Sequence, residues 1–158
     1  MVLKLYCQRC GEEREIEIKD EKESYPVRKE QTEILAKVTY CKFCGEQIWN
    51  ERLDANNLQE AYRQYRSNHG LLQPEDIKRI REMYGLSQTT FGKILGFGEK
   101  TIARYENGSI QEMAQNNLIK LASYPVVFGL LVKQNKACLA DNEFERIMST
   151  LIDVQRII

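Results

Sequence analysis

The sequence predicts an α+β protein in two parts, and two observations carry that prediction. Over residues 1–66, short runs of alternating polar and apolar residues surround two cysteine pairs and end in a helical pattern. From Leu72 onward, apolar residues recur at helical spacing and are interrupted by glycines such as Gly85 and Gly108. We therefore expect a small β-rich cysteine module, then an all-α domain with extra C-terminal helices.

The N-terminal part should consist of antiparallel strands followed by one helix. Alternating or apolar runs predict strands near residues 2–6, 14–19, 25–28 and 34–40, and the charged stretch Asp20–Ser24 is typical of a turn. From Asn50 to Ser67 the apolar residues follow helical spacing. The expected fold of this part is a β-ribbon with a helix behind it.

The two cysteine pairs are copies of one motif, Cys-x-x-Cys-Gly. Cys7 and Cys10 form the first pair, Cys41 and Cys44 the second, and about 30 residues separate them. A hairpin between the pairs would bring four thiolates around one cation, and a closed set of four sulfurs is typical of structural zinc. The sequence thus predicts one structural Zn²⁺ per chain; iron or an iron–sulfur cluster and a redox dithiol are the alternatives.

Two further residues could have metal or redox roles, but simpler interpretations are favoured. His69 is the only histidine, and we expect a solvated linker residue because the four cysteines already complete a tetrahedral site. Cys138 stands alone in an apolar helical stretch, which predicts a buried and inert core thiol.

Charge and hydropathy narrow the classes of function. The chain carries 23 basic and 23 acidic residues, so DNA affinity would have to come from a local patch and from doubling in a dimer. The longest apolar run, near residues 125–132, is shorter than the roughly 20 residues that a membrane span needs. We expect a cytoplasmic protein with no membrane partner, and paired cysteines in that reducing compartment favour metal over disulfides.

A helix-turn-helix is predicted at residues 86–108. Ser87 is a candidate N-cap, Gly96-Phe97-Gly98 forms a turn that permits positive φ angles, and Asn107-Gly108 ends the second helix. The expected shared core of the two helices consists of Phe91, Ile94, Leu95 and Ile102. Over the whole C-terminal part, helices are predicted near residues 74–84, 87–95, 99–106, 111–123, 125–136 and 141–156.

With those apolar residues turned inward, a polar set faces outward. Lys100, Thr101 and Arg104 lie on the second helix, with Lys100 and Arg104 one turn apart. In the major groove, arginine bidentate to guanine is the commonest specific contact. Gln88 and Thr89, at the start of the first helix, suit phosphate or base contacts. A simple αα-hairpin with a charged surface is the alternative.

Four segments are predicted along the chain. Residues 1–66 form the metal ribbon, 67–73 a linker, 74–125 the helix-turn-helix domain and 126–158 a helical extension. The apolar residues of the extension predict either additional core or a dimer interface, and we favour dimerisation.

Together these motifs resemble the MqsA-type zinc-finger antitoxins. The resemblance covers roughly residues 4–125 and depends on the two knuckles combined with the Gly-rich turn and the ending Arg104-Tyr105-Glu106-Asn107-Gly108. That ending is also common in Xre-type helix-turn-helix regulators. The extension after Pro125 departs from the family pattern.

The resemblance implies that the zinc domain binds a protein partner, often a toxin. It also implies that a helix-turn-helix homodimer binds double-stranded DNA at an operator palindrome and represses its own operon. The four cysteines match the zinc ligands, and Lys100 and Arg104 match base-contacting positions. Where the family pattern has asparagine this chain has Lys100, which favours guanine or phosphate over adenine.

Three other functions are alternatives to this one. A stand-alone regulator without a toxin, possibly phage-related, would use the zinc module to sense metal or as a scaffold. A single-stranded nucleic-acid ribbon would stack bases on Tyr6, Tyr40, Phe43 and Trp49, although such aromatics more often form the core of a zinc module. An enzyme would need an open metal position or a plausible catalytic base, and the sequence offers neither, so no catalytic residue is predicted.

Overall fold

The computed structural model describes residues 3–157, with side chains as far as Asp153. Val2, where the first predicted strand begins, and the side chain of Val154 lie outside the described part. The chain divides into two compact units, Met1–Asn68 and His69–Ile158.

The first unit contains a three-stranded antiparallel sheet. Its strands are β1 (Lys4–Cys7), β2 (Glu12–Val27) and β3 (Glu30–Cys41), in the order β1-β2-β3. β2 and β3 pair without interruption from Ile16↔Cys41 to Val27↔Glu30. The result is a long hairpin between the two cysteine pairs.

The prediction of a turn at Asp20–Ser24 is wrong, because these residues lie in the middle of β2. Cross-strand contacts stabilise this charged stretch: Lys37 Nζ lies 2.8 Å from an Asp20 carboxylate oxygen, and the Tyr40 hydroxyl donates to Glu21. The chain reverses after Val27 instead, where Arg28 adopts a φ of 55°. Charge alone therefore did not distinguish a turn from an exposed strand.

The helix α1 (Glu51–Asn68) packs against this hairpin, mainly against β3. Its side of the sheet is apolar and includes Ile34, Ala36 and Val38, which are buried. At the edge of β3, the amide of Asn57 accepts from the Lys37 N–H at 3.0 Å and donates to the Lys37 carbonyl at 3.1 Å. A buried side chain of α1 thus takes the place of a neighbouring strand.

The described residues of the second unit form helices joined by turns and loops, with no strand. Its helices are α2 (Pro74–Glu82), α3 (Gln88–Ile94), α4 (Thr101–Glu106), α5 (Met113–Ala122), α6 (Pro125–Gln134) and α7 (Asp141–Ile157), with a 3₁₀ turn at Lys136–Cys138. These bounds agree with the predicted helices to within about two residues at most ends. The fold is therefore mixed α and β, with a four-cysteine sheet followed by helices, as predicted.

One core holds the second unit together, and the C-terminal extension belongs to it. Phe128 of α6 stacks on Tyr84 with ring centroids 4.2 Å apart and also contacts Phe91. Ile147 and Leu151 of α7 are buried in the same cluster. The Tyr84 hydroxyl donates to the Ala122 carbonyl at 2.7 Å, which satisfies its polar atom inside the core.

Cys138 is exposed, so the prediction of a buried core thiol is wrong. It lies on the 3₁₀ turn rather than on an apolar helix, and its thiol donates to the Asn135 carbonyl.

In the described chain, no helix combines the length and the apolar character that a membrane crossing requires.

Candidate functional site

The four paired cysteines meet at one end of the sheet. All four sulfur atoms lie within 4.8 Å of one another; Cys7 Sγ is 3.5 Å from Cys44 Sγ, and Cys10 Sγ is 4.0 Å from Cys41 Sγ. A tetrahedral ion with metal–sulfur bonds of about 2.3 Å would space its ligands by about 3.8 Å. The four sulfurs therefore have the spacing of a metal site with no open position.

Each knuckle is a tight turn that needs its glycine. Gly11 donates its N–H to the Cys7 carbonyl and Gly45 to the Cys41 carbonyl, at 2.8 and 2.9 Å, with φ angles of 73° and 70°. Backbone N–H groups of Cys44 and Phe43 point at the sulfur of Cys41 and lower the pKa of Cys41 to about 7. The turn thus favours the thiolate that a metal requires.

The metal site is part of the small core of this end. Cys7 and Cys41 are fully buried, and Ile16 and Ile48 pack against them. Burial raises the pKa of Cys10 to about 12, so this sulfur would ionise only beside a cation. Four sulfurs and two isoleucines make a core too small to be stable alone, and a bound ion would supply the missing stabilisation.

The aromatic residues near the cysteines do not form this core, contrary to expectation. Tyr6, Phe43 and Trp49 are 59%, 74% and 73% exposed, and Tyr40 is half-buried. Tyr6 and Trp49 line one side of an open groove of about 640 Å³, while the Arg14 guanidinium stacks on Phe43. The core of this end consists instead of the cysteines with Ile16 and Ile48.

In the second unit, α3 and α4 form the predicted helix-turn-helix. The Ser87 hydroxyl caps α3 by accepting from the Thr90 N–H, as expected. In the turn, Gly96 has a φ of 71°, whereas Gly98 does not adopt a positive φ. A Cβ atom at Gly92 would lie 3.5 Å from Ile102, which is an ordinary van der Waals contact, so the two helices lie side by side here without requiring a glycine.

The exposed surface of α4 carries the predicted recognition residues. Ile102 and Tyr105 are buried, which turns Lys100 and Arg104 outward into solvent and leaves Thr101 half-buried between them. The Tyr105 hydroxyl donates to Gln115, and the tyrosine ring packs inward. Lys100, the N-cap residue, and Arg104 are one turn apart at the same surface.

Gln88 and Thr89 lie at the start of α3 and are half-buried. The Gln88 side-chain amide donates to Glu106 at 2.7 Å, and Arg81 holds the same carboxylate with two bonds of 2.6 and 2.9 Å. Helical periodicity alone did not predict this network. The residue that could have indicated the network is Glu106, the one acidic residue of α4.

In a comparison with protein-family models, residues 5–124 match a family. The matching family is the antitoxin component of bacterial toxin–antitoxin systems, MqsA. The match covers more than half of the chain and includes both cysteine pairs and the helix-turn-helix. The chain belongs to the MqsA antitoxin family. No curated protein matches the chain in a direct search.

Membership confirms the resemblance seen in the sequence and gives the chain an antitoxin role. The MqsA family implies a toxin partner and DNA binding, and it is a family of regulators rather than enzymes. The match ends at residue 124, immediately before α6, so α6 and α7 lie beyond the part shared with the family.

Proposed function

We propose that the chain is a sequence-specific transcriptional repressor and the antitoxin of a type II toxin–antitoxin system. The observation that carries the DNA-binding part is the surface of α4, where Lys100 and Arg104 are exposed while Ile102 and Tyr105 anchor the helix. Residues 74–125 form the DNA-binding domain in this proposal, and residues 1–66, followed by a linker at 67–73, bind the toxin.

The metal in this proposal is zinc with a structural role. Cys7, Cys10, Cys41 and Cys44 would be its ligands, because four sulfurs without an open position suit zinc and leave no place for a reacting water. Bound zinc would fix the two knuckles against each other and hold β1 and the end of β3 together. The ion does no chemistry here.

DNA binding is proposed for a homodimer on an operator palindrome. Arg104 and Lys100 would contact base edges or phosphates in the major groove, with Thr101, Thr89 and Gln88 beside them. Two recognition helices in successive major grooves would lie about 34 Å apart. A chain without net charge would then gain affinity from two local patches rather than from its overall field.

The dimer interface is proposed to include α6 of the extension. Phe128 and Val132 on the inner side of α6 are buried, while Val126 and Leu130 are 65% and 61% exposed. Tyr124, immediately before α6, is also exposed. Adjacent exposed apolar side chains are typical of a surface that another protein covers.

Co-purification from the native host tests the proposal. The chain carries a C-terminal tag, and mass spectrometry identifies bound metal and proteins. A stoichiometric small protein that arrests growth when expressed alone, together with one zinc per chain, is the expected result. Zinc and DNA without such a protein would contradict the antitoxin role and leave a stand-alone cytoplasmic regulator.

A further inference from the structure

The two long strands of the first unit differ in how their outer edges are covered. On β3, the Cys41 N–H donates to the Glu46 carbonyl, the Thr39 carbonyl accepts from Ile48, and Asn57 satisfies both backbone groups of Lys37. The segment 46–48 and α1 thus occupy this edge. On the outer edge of β2, β1 covers only the first part of the strand, from Glu12 opposite Cys7 to Glu15 opposite Lys4.

The hydrogen bonds fix which backbone groups of β2 point outward. Lys37 and Thr39 use their backbone groups away from β2, so their partners Asp20 and Ile18 also direct theirs away from β3. Ile16 follows the same pattern, since its N–H donates to the Leu3 carbonyl and so points away from β3. By the alternation of an antiparallel ladder, Lys22 and Ser24 point outward too.

Within residues 3–157, nothing pairs with this part of the edge. No described backbone or side-chain acceptor receives the N–H of Asp20, Lys22 or Ser24, and no third strand lies beside them. An uncovered strand edge is a template for another strand, and proteins usually cover it or protect it with charge. Here one edge is covered and the other remains available.

The charge of this edge limits which strand could pair with it. The part of β2 that β1 leaves uncovered, residues 17–27, carries 4 acidic and 2 basic side chains, a net charge of −2. Symmetric antiparallel pairing with the same edge of a second copy would place one charged residue of the stretch Asp20–Glu23 opposite its own copy on the two-fold axis, which is unfavourable. A strand rich in lysine or arginine would instead form favourable cross-strand pairs.

We propose that the toxin adds a basic β-strand to the open edge of β2, through the outward backbone groups of Asp20, Lys22 and Ser24. This inference depends on the toxin partner of the proposed function and assigns its binding surface. Backbone hydrogen bonds would supply affinity, and the acidic side chains would select the partner.

A proline substitution tests the edge without breaking the hairpin. Lys22→Pro removes one outward N–H, and Pro26 already occupies an outward position of the same strand. Lys22→Ala is the matched control, because it removes the same charge and keeps the N–H. With the toxin recovered by co-purification, we expect Lys22→Pro to weaken binding by about tenfold or more, and Lys22→Ala to bind within about threefold of the wild type.

Equal binding of the proline and alanine variants would overturn the edge assignment while leaving the antitoxin role intact. Failure of the wild-type chain to bind any toxin would contradict the proposed function, and this inference with it. A dimer formed through β2, seen as doubled mass that Lys22→Pro abolishes, would identify a second copy as the occupant and overturn the proposal.

Amide hydrogen exchange on the full chain provides a test that needs no variant. In the free chain, the amides of Asp20, Lys22 and Ser24 should exchange fast, and those of Glu21 and Glu23, which face β3, slowly. On addition of the toxin, the three outward amides should become protected. Protection confined to other surfaces of the unit would overturn the proposal.

Discussion

At the scale of single residues, the buried pair between Arg81 and Glu106 connects α2 to the end of α4. The two side chains are only 11% and 6% exposed, and the Arg81 guanidinium also donates to the Leu86 carbonyl. Burial raises the pKa of Glu106, but the hydrogen bonds from Arg81 and Gln88 outweigh it and lower that pKa below its usual value. The pair therefore positions α4 and Gln88 together.

Glu106→Gln should destabilise the helical unit by about 3 kcal/mol at pH 7, because it leaves the Arg81 guanidinium buried without its counter-charge. Since the folded-state pKa of Glu106 is lowered, its contribution is complete above the unfolded-state pKa and is lost as pH falls through the folded value. Urea unfolding followed by circular dichroism should thus show a smaller difference between wild type and variant below about pH 4. Glu82→Gln, at an exposed neighbour, is the control and should be nearly neutral.

Arg104→Ala should remove operator selectivity while leaving the fold unchanged, because the side chain is exposed and supports no packing. A lost arginine–guanine contact corresponds to about 1–3 kcal/mol of discrimination. Gel shifts on operator and scrambled DNA measure the ratio of affinities. Arg52→Ala removes an equal exposed charge from α1 of the first unit and should preserve selectivity; a selective Arg104→Ala variant would refute the assignment.

At the scale of elements, the side-chain amide of Asn57 joins α1 to the edge of the sheet. Asn57 is buried and pairs with both backbone groups of Lys37, so it closes the edge of β3 as a short strand would. This contact explains why a helix with few buried apolar residues still packs closely on the hairpin.

Asn57→Ala should lower the free energy of unfolding of the first unit by about 1–3 kcal/mol, since two backbone groups of Lys37 lose their partners. Thermal denaturation of the zinc-loaded chain, followed by Trp49 fluorescence, measures this loss. The adjacent Asn56 is exposed, so Asn56→Ala is the matched control and should change stability little. Equal effects of the two substitutions would argue against the edge contact.

At the scale of the whole molecule, the two units should respond differently to metal removal. The cysteine end of the first unit has a small core built around four sulfurs, whereas the second unit has a large apolar core without metal ligands. A strong chelator should therefore unfold the cysteine end of the first unit, because structural zinc contributes on the order of 10–16 kcal/mol of binding free energy.

The only tryptophan, Trp49, lies in the first unit and reports on it separately. Chelation should change Trp49 fluorescence while most of the helical circular dichroism signal persists, and added zinc should restore the fluorescence. Complete loss of the helical signal on chelation would show that the second unit also depends on the metal. A mutant with Cys10→Ser should behave like the chelated wild type.

The sequence was sufficient for the features that local chemistry dictates. The spacing of Cys7, Cys10, Cys41 and Cys44 predicted that they share one site. The glycines and the helical periodicity predicted the bounds of α2 to α7 to within about two residues. Burial of Ile102 and exposure of Arg104 followed from the same periodicity. These features depend on neighbours a few residues apart in the chain, or on ligands that one ion must gather.

The tertiary structure decided what depends on distant partners. Asp20–Ser24 is strand rather than turn because β3 supplies its partners, and the pairing of Glu106 with Arg81 joins residues 25 positions apart. Phe128 is buried because α6 packs one of its sides on the core, whereas Cys138 is exposed because it lies on the 3₁₀ turn between α6 and α7. The open edge of β2 is likewise visible only in three dimensions, since the hydrogen-bond register, and not the alternation of charge, determines which amides remain available.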